Sequence, residues 1–273
     1  MGEDGGALSR RRFLAVAGTA GVTGASLLAA GAACGGEETA RRSAARRRMS
    51  VAAPSPPPRQ APPPSWTRAP LTAAHRPVFD LRQVLPAPPP NAIALTIDDG
   101  PHPEWTPRML DLLARHGVPA TFSVIGAEVK RFPKLVERIA AAGHQVANHT
   151  MHHPSPFAAL PHARIRAEMA EARVRIEDAA GYAPRFFRSP GGDWNAYTYD
   201  QCAEQGMIPI DWDVDPRDWA TPGARHIERA LLKAGPGDIV LCHDGGGDRA
   251  QTIAALSRAL PALKRRGLTF VSL

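Results

Sequence analysis

The reactive side chains of this chain can be assembled into one metal and acid–base set. His149 and His153 stand four apart, a spacing that on a single helical turn aims both imidazoles the same way. One carboxylate of the adjacent Asp98 and Asp99 could complete a three-donor set for a divalent metal, leaving positions open for water and substrate. Pro154 disfavours helix at His153, so the pair is expected in a loop or an isolated turn. Adjacent residues cannot both point along one strand face, so one aspartate is expected to ligate while its neighbour acts as a base on water. Arg188 could hold that base ionised. His243 is a candidate general acid whose tautomer an aspartate from the 213–218 stretch could fix. Singly, each has an ordinary alternative: a lone His-x-x-x-His pair, a surface ion pair at Arg188, a solvated loop for the Asp-rich stretch. His152 reads as a bystander, and His102, His116, His144 and His226 as surface or cap residues.

The elements that must position this set follow from periodicity. Apolar runs predict strands at 92–97, 120–125, 144–147, 186–187, 207–210, 238–241 and 268–271. Helical spacing predicts helices at 103–115, 133–142, 163–180, 195–205, 225–233 and 249–266, with Ile165, Met169, Ala172 and Ile176 at steps of four, three and four. Asp98 and Asp99 then end the first strand, and His149 and His153 follow the third. Arg188 follows the fourth, Asp215 and Asp218 the fifth, His243 the sixth. All lie at carboxyl ends of strands, the face where barrel enzymes place their sites. The alternation predicts an α/β fold, a parallel sheet closed into a distorted (β/α) barrel of about seven strands, with an open doubly wound sheet as the alternative.

Five ordered segments carry a family resemblance: Thr96-Ile97-Asp98-Asp99-Gly100-Pro101, His149-Thr150-Met151-His152-His153, Arg188-Ser189-Pro190-Gly191-Gly192, Asp215-Pro216-Arg217-Asp218-Trp219 and Leu241-Cys242-His243. They resemble the motifs of the polysaccharide deacetylases, carbohydrate esterase family 4, over residues 91–273. The resemblance implies a distorted barrel and a metal-dependent hydrolase that removes acetyl groups from sugars. By motif position it makes Asp98 the base and Asp99, His149 and His153 the ligands of a divalent metal, most commonly zinc. It makes Arg188 the residue that orients Asp98, and His243, steadied by Asp218, the acid for the leaving amine. The Gly191 backbone N–H becomes an oxyanion donor and Trp219 a wall of the groove. Two positions depart from the pattern: Ile97 replaces a phenylalanine, and Gly191 replaces an aromatic residue, which predicts a wider or differently shaped sugar site.

Charge and proline divide the chain. It has 33 Lys and Arg against 26 Asp and Glu, but 12 of the former and 5 of the latter lie in residues 1–90, leaving 21 of each in 91–273. The net charge of +7 therefore belongs to the amino-terminal third, and the neutral domain argues against a nucleic-acid partner. Residues 1–34 read as a twin-arginine export signal (Arg10-Arg11-Arg12-Phe13-Leu14) followed by a weakly apolar run. Gly31-Ala32-Ala33-Cys34 resembles a lipoprotein processing site, so Cys34 is expected to carry lipid; cleavage after Ala30-Gly31-Ala32, or an uncleaved signal anchor, are the alternatives. Residues 35–90, with 13 of the 28 prolines between Pro54 and Pro90, read as a disordered Pro/Arg-rich linker. Its arginine runs could sit against anionic headgroups or wall polymers.

Export places the expected location at the outer face of the cytoplasmic membrane or the cell wall, or outside the cell. The expected activity there is deacetylation of N-acetylglucosamine units of peptidoglycan, with chitooligosaccharide deacetylation or acetylxylan esterase activity as alternatives. A reading of another class is an inactive glycan-binding lipoprotein, membrane-held through its lipid. Cys202 and Cys242 are expected as buried free thiols if folding precedes export.

Overall fold

Strand β1 (Ala92–Asp98) is buried along its whole length, as befits a strand with neighbours on both sides and packing on both faces. It organises a computed structural model that describes residues 76–85 and 87–273. The segment expected to direct export, Cys34 and most of the expected linker lie outside the described residues.

Parallel strands β2 (Thr121–Val124) and β6 (Ile239–His243) flank β1. Strands β3 (Gln145–Asn148), β4 (Phe186–Phe187) and β5 (Ile208–Pro209) continue outward from β2, giving the order β5-β4-β3-β2-β1-β6. Strand β7 (Thr269–Val271) pairs with the first residues of β1, opposite Ala92 to Ala94, while β2 pairs with Thr96 to Asp98. Beyond β5, Ile210 bridges Val78 and Val214 bridges Val240, so the chain after β5 runs across to β6. The sheet is thus a curled half-barrel rather than an open doubly wound sheet.

Helices α1 (Trp105–His116), α2 (Gly126–Arg131), α3 (Pro133–Ala141), α4 (His162–Ala180), α5 (Ala196–Glu204), α6 (Ala224–Leu231) and α7 (Ala250–Arg265) connect the strands. All seven expected strands and six expected helices are present within a few residues of their predicted limits. The extra helix, α2, is six residues long and starts on a glycine, too short for periodicity to reveal.

Alternation along β1 separates two apolar layers. Ile93, Leu95 and Ile97 pack with Met109, Leu113, Leu256 and Leu260 in the larger core, shared with the helices. Ala92 and Ala94 join a second cluster with Phe186, Ile208, Ile210 and Ile239. Leu81, Val84 and Leu85 complete that second cluster, Leu81 with no exposed surface. This corrects the expectation of unstructured chain up to residue 90: residues 78–85 bridge the sheet and contribute its core. Their apolar residues are too few and too closely followed by prolines to show a period of their own.

Candidate active site

The second face of β1 continues upward as Thr96 and Asp98, and there the barrel interior turns polar. Arg188, just after β4, is fully buried beneath this end. Its Nη1 donates to Thr96 Oγ1 at 2.7 Å and to Asp98 Oδ1 at 2.9 Å, and its Nη2 donates to the Asp211 carbonyl at 2.8 Å. Such a guanidinium is retained because a carboxylate and further acceptors meet it. The sequence alternative of a surface ion pair does not hold.

Asp99 lies one residue beyond β1 at φ 73°. This left-handed residue breaks the strand alternation, so both carboxylates of the pair line one cleft, together with His149, His153 and His243. Gly100 follows at a point where a β-carbon would meet the Asp244 carboxylate, so the turn admits no larger residue. The cleft has a volume of about 400 Å³, with Gly191, Trp212, Asp215, Trp219, Leu241, Gly246 and Arg249 completing its walls.

Asp99 Oδ1 lies 3.5 Å from His149 Nε2 and 3.4 Å from His153 Nε2. Ligands about 2.0–2.1 Å from a tetrahedral metal stand about 3.4 Å from one another, so these separations suit a divalent cation. Asp99 Oδ1 is also buried without a hydrogen bond, a position a cation would satisfy. The Arg188 carbonyl accepts from His149 Nδ1 at 2.8 Å. A carbonyl can only accept, which places a proton on Nδ1 and leaves Nε2, on the side of Asp99, as the nitrogen whose lone pair can ligate a cation.

The electrostatics agree. Burial opposes charge on both Asp99 and His149, but it is outweighed at Asp99 chiefly by His149, and at His149 by the charge of Asp98 together with Asp99. The carboxyl of Asp99 is held well below the usual range and the imidazole of His149 is raised. Positive charge between these groups is therefore favoured. Burial, reinforced by His149, lowers His153 and keeps it neutral, the form that ligates.

Across the cleft, Asp218 Oδ1 accepts from His243 Nδ1 at 2.7 Å and Asp218 Oδ2 from the His243 backbone N–H at 2.9 Å. Thr252 Oγ1 donates to the same carboxylate at 2.8 Å. Burial disfavours a charged His243, but Asp218 more than offsets it and raises the imidazole to about 9. This leaves a protonated Nε2 available to the cleft at neutral pH. Gly191 (φ 63°) has open space where a β-carbon would project, and Trp219 is about half exposed.

Comparison with known proteins decides the family. The family model described as Polysaccharide deacetylase matches residues 86–210. A chitooligosaccharide deacetylase of Sinorhizobium fredii is 44% identical over 194 residues, covering 67% of this chain and 90% of that protein. This chain belongs to the polysaccharide deacetylase family. A peptidoglycan-N-acetylglucosamine deacetylase of Bacillus cereus is 42% identical over 183 residues, covering 66% of this chain and 85% of its own length. Among solved structures, a peptidoglycan N-acetylglucosamine deacetylase in complex with 4-naphthalen-1-yl-N-oxidanyl-benzamide superposes with a TM-score of 0.65. That match has 36% identity and covers 67% of this chain and 86% of the other.

As a polysaccharide deacetylase, the chain is a metal-dependent hydrolase, and Asp99, His149 and His153 are the described residues that group as a metal site. Several residues of this deacetylase's cleft lie outside the set expected from the sequence. Trp212 stands among the Asp-rich residues, its ring edge against Gly192 and one face over Arg188. Arg249 is almost wholly buried, donating to the carbonyls of Gly245 and Asp218; its distance of six residues from His243 was the available signal. His144 departs from its surface assignment. It is buried, its Nδ1 accepts from the Ala120 N–H at 3.2 Å, and burial pushes it down to about 4. His102 is the expected cap, accepting from the Glu104 and Trp105 N–H groups. Cys202 and Cys242 are both free and buried.

Proposed function

We propose that this deacetylase hydrolyses the N-acetyl groups of N-acetylglucosamine in cell-wall peptidoglycan, using zinc held by Asp99, His149 and His153. The observation that carries the reading is the convergence of this donor set with the Arg188–Asp98 and Asp218–His243 pairs on one cleft. A carboxylate with two imidazoles suits zinc. When bound, the ion supplies Lewis acidity for the acetyl carbonyl and lowers the pKa of water beside it.

Asp98, oriented by Arg188, accepts a proton from the attacking water. His243, protonated and oriented by Asp218, donates one to the amine as the carbon–nitrogen bond breaks, so that water and amide become acetate and free amine. The Gly191 N–H donates to the oxygen that gains charge. Trp219 and Trp212 offer aromatic surface to sugar rings.

The open rim at Gly191 favours a substituted polymer, and the Bacillus cereus relative is a peptidoglycan deacetylase. The twin-arginine residues, Cys34 and the proline-rich tether support export and lipid anchoring at the outer face of the membrane, beside that polymer. Chitooligosaccharides are the second reading, favoured by the Sinorhizobium relative.

The test is mass spectrometry of peptidoglycan fragments, chitooligosaccharides and acetylxylan after incubation with the zinc-loaded chain. Loss of 42 Da per acetyl group, fastest on peptidoglycan, is expected (~42 Da being the net mass of acetyl removal); preference for chitooligosaccharide would establish the second reading. Chelation should abolish the activity and zinc restore it, whereas chelator-resistant activity would refute the metal mechanism.

A further inference from the structure

The loop carrying His149 and His153 depends on its surroundings for its shape. Thr150 (φ 65°) and His153 (φ 52°) both occupy the left-handed region, which is unfavourable for a residue with a β-carbon. Within the loop, Thr150 N–H donates to Asn148 Oδ1 and His153 N–H to Thr150 Oγ1, each at 2.9 Å. On one flank, the first amides of α2, Gly126 and Ala127, donate to the carbonyls of Thr150 and Met151 at 2.9 and 2.8 Å.

On the other flank stands Glu168 of α4, only 1% exposed. It accepts from the His152 backbone N–H at 2.7 Å and from His152 Nδ1 at 2.9 Å, and pairs with Arg164 at 2.7 Å. A carboxylate so deep is tolerated only when such partners take its lone pairs. Two of these three contacts come from the residue immediately before His153.

We propose that Glu168 is a positioning residue for the metal centre, fixing His152 and through it the placement of His153. The inference rests on the reading that Asp99, His149 and His153 hold a divalent ion. The two imidazoles differ in their dependence on this brace. His149 is buried and its ring is fixed by the Arg188 carbonyl. His153 is about one-third exposed; its ring meets the His149 ring edge-on at 4.9 Å, but no carbonyl of a second residue among those described fixes it as the Arg188 carbonyl fixes His149, and its Nε2 reaches Asp99 through the course of its backbone. Releasing His152 lets that backbone relax from its left-handed conformation, carrying His153 Nε2 away from Asp99. Metal affinity is then lost with the fold intact.

Zinc affinity of the full chain is measured by competition with a chromophoric chelator for wild type, E168A, E168Q and H152A, with thermal melting of each in parallel. E168A is expected to weaken zinc binding by at least about ten-fold, the scale seen when outer partners of metal ligands are removed. E168Q should be affected less, because its amide oxygen can still accept from the His152 N–H, and H152A least, because it keeps that backbone contact. A merely structural role would lower melting temperature without this graded loss of affinity. Zinc binding within two-fold of wild type in folded E168A, or in folded E168Q and H152A if E168A does not fold, overturns the proposal. Absence of zinc binding by the wild-type chain overturns the metal-site reading itself.

Discussion

Asp218 grips His243 at two points, one carboxylate oxygen on the ring nitrogen at 2.7 Å and the other on the backbone N–H at 2.9 Å. Because this pairing raises His243 to about 9 against the effect of burial, the imidazole is protonated below that pH. Asp218→Asn keeps the shape and removes the charge. The alkaline limb of the pH–activity profile is expected to move down toward 6.5, the ordinary histidine value. The pair also stabilises the fold fully below about pH 6.5 and loses that contribution as pH rises through about 9. Melting of the wild-type chain across this window, compared with Asp218→Asn, reads that term directly.

Asp98→Asn should lower kcat by about 10²–10⁴-fold, the usual range for losing a positioned base. Zinc content by elemental analysis should stay unchanged. Asp98 Oδ2 is 3.9 Å from His149 Nε2, more distant than Asp99 Oδ1 at 3.5 Å, and Asp98 Oδ1 faces Arg188 instead. Loss of metal together with activity would make Asp98 a ligand rather than a base.

Gly191→Phe would build an aromatic wall into space where nothing lies within 4 Å of a β-carbon. Its positive φ should cost about 1–2 kcal/mol of stability. Activity on peptidoglycan fragments is expected to fall relative to chitooligosaccharides, and the ratio of kcat/KM for the two substrates measures it. An unchanged ratio would mean that this rim does not select substrate.

Leu81→Ala should destabilise the fold by about 2–5 kcal/mol, as for other fully buried leucines. A chain starting at Asn91 lacks Leu81, Val84 and Leu85 together and should lose more. Denaturant titration checks both. Equal stability of the shortened chain would mean that residues 78–85 only rest on the sheet.

Periodicity along the chain was enough to set the order of elements and the face on which the chemistry gathers. Strand and helix periods are local, and residues such as Asp98, His149, Arg188 and His243 could be assigned to strand ends without knowing how the strands pair. The donor set was legible for the same reason, although which aspartate ligates came from family resemblance rather than from spacing. What curl and strand register bring together emerges only when the chain folds. The left-handed turn at Asp99 puts two adjacent carboxylates in one cleft, against the alternation a strand predicts. Glu168 reaches His152 across 16 residues, and Arg249 reaches Asp218 across 31. Leu81 is buried because the half-barrel leaves an apolar interior to fill. A period along the chain reports which side of an element is apolar; it carries no information about which distant side chain completes a buried charge or fills a remaining space.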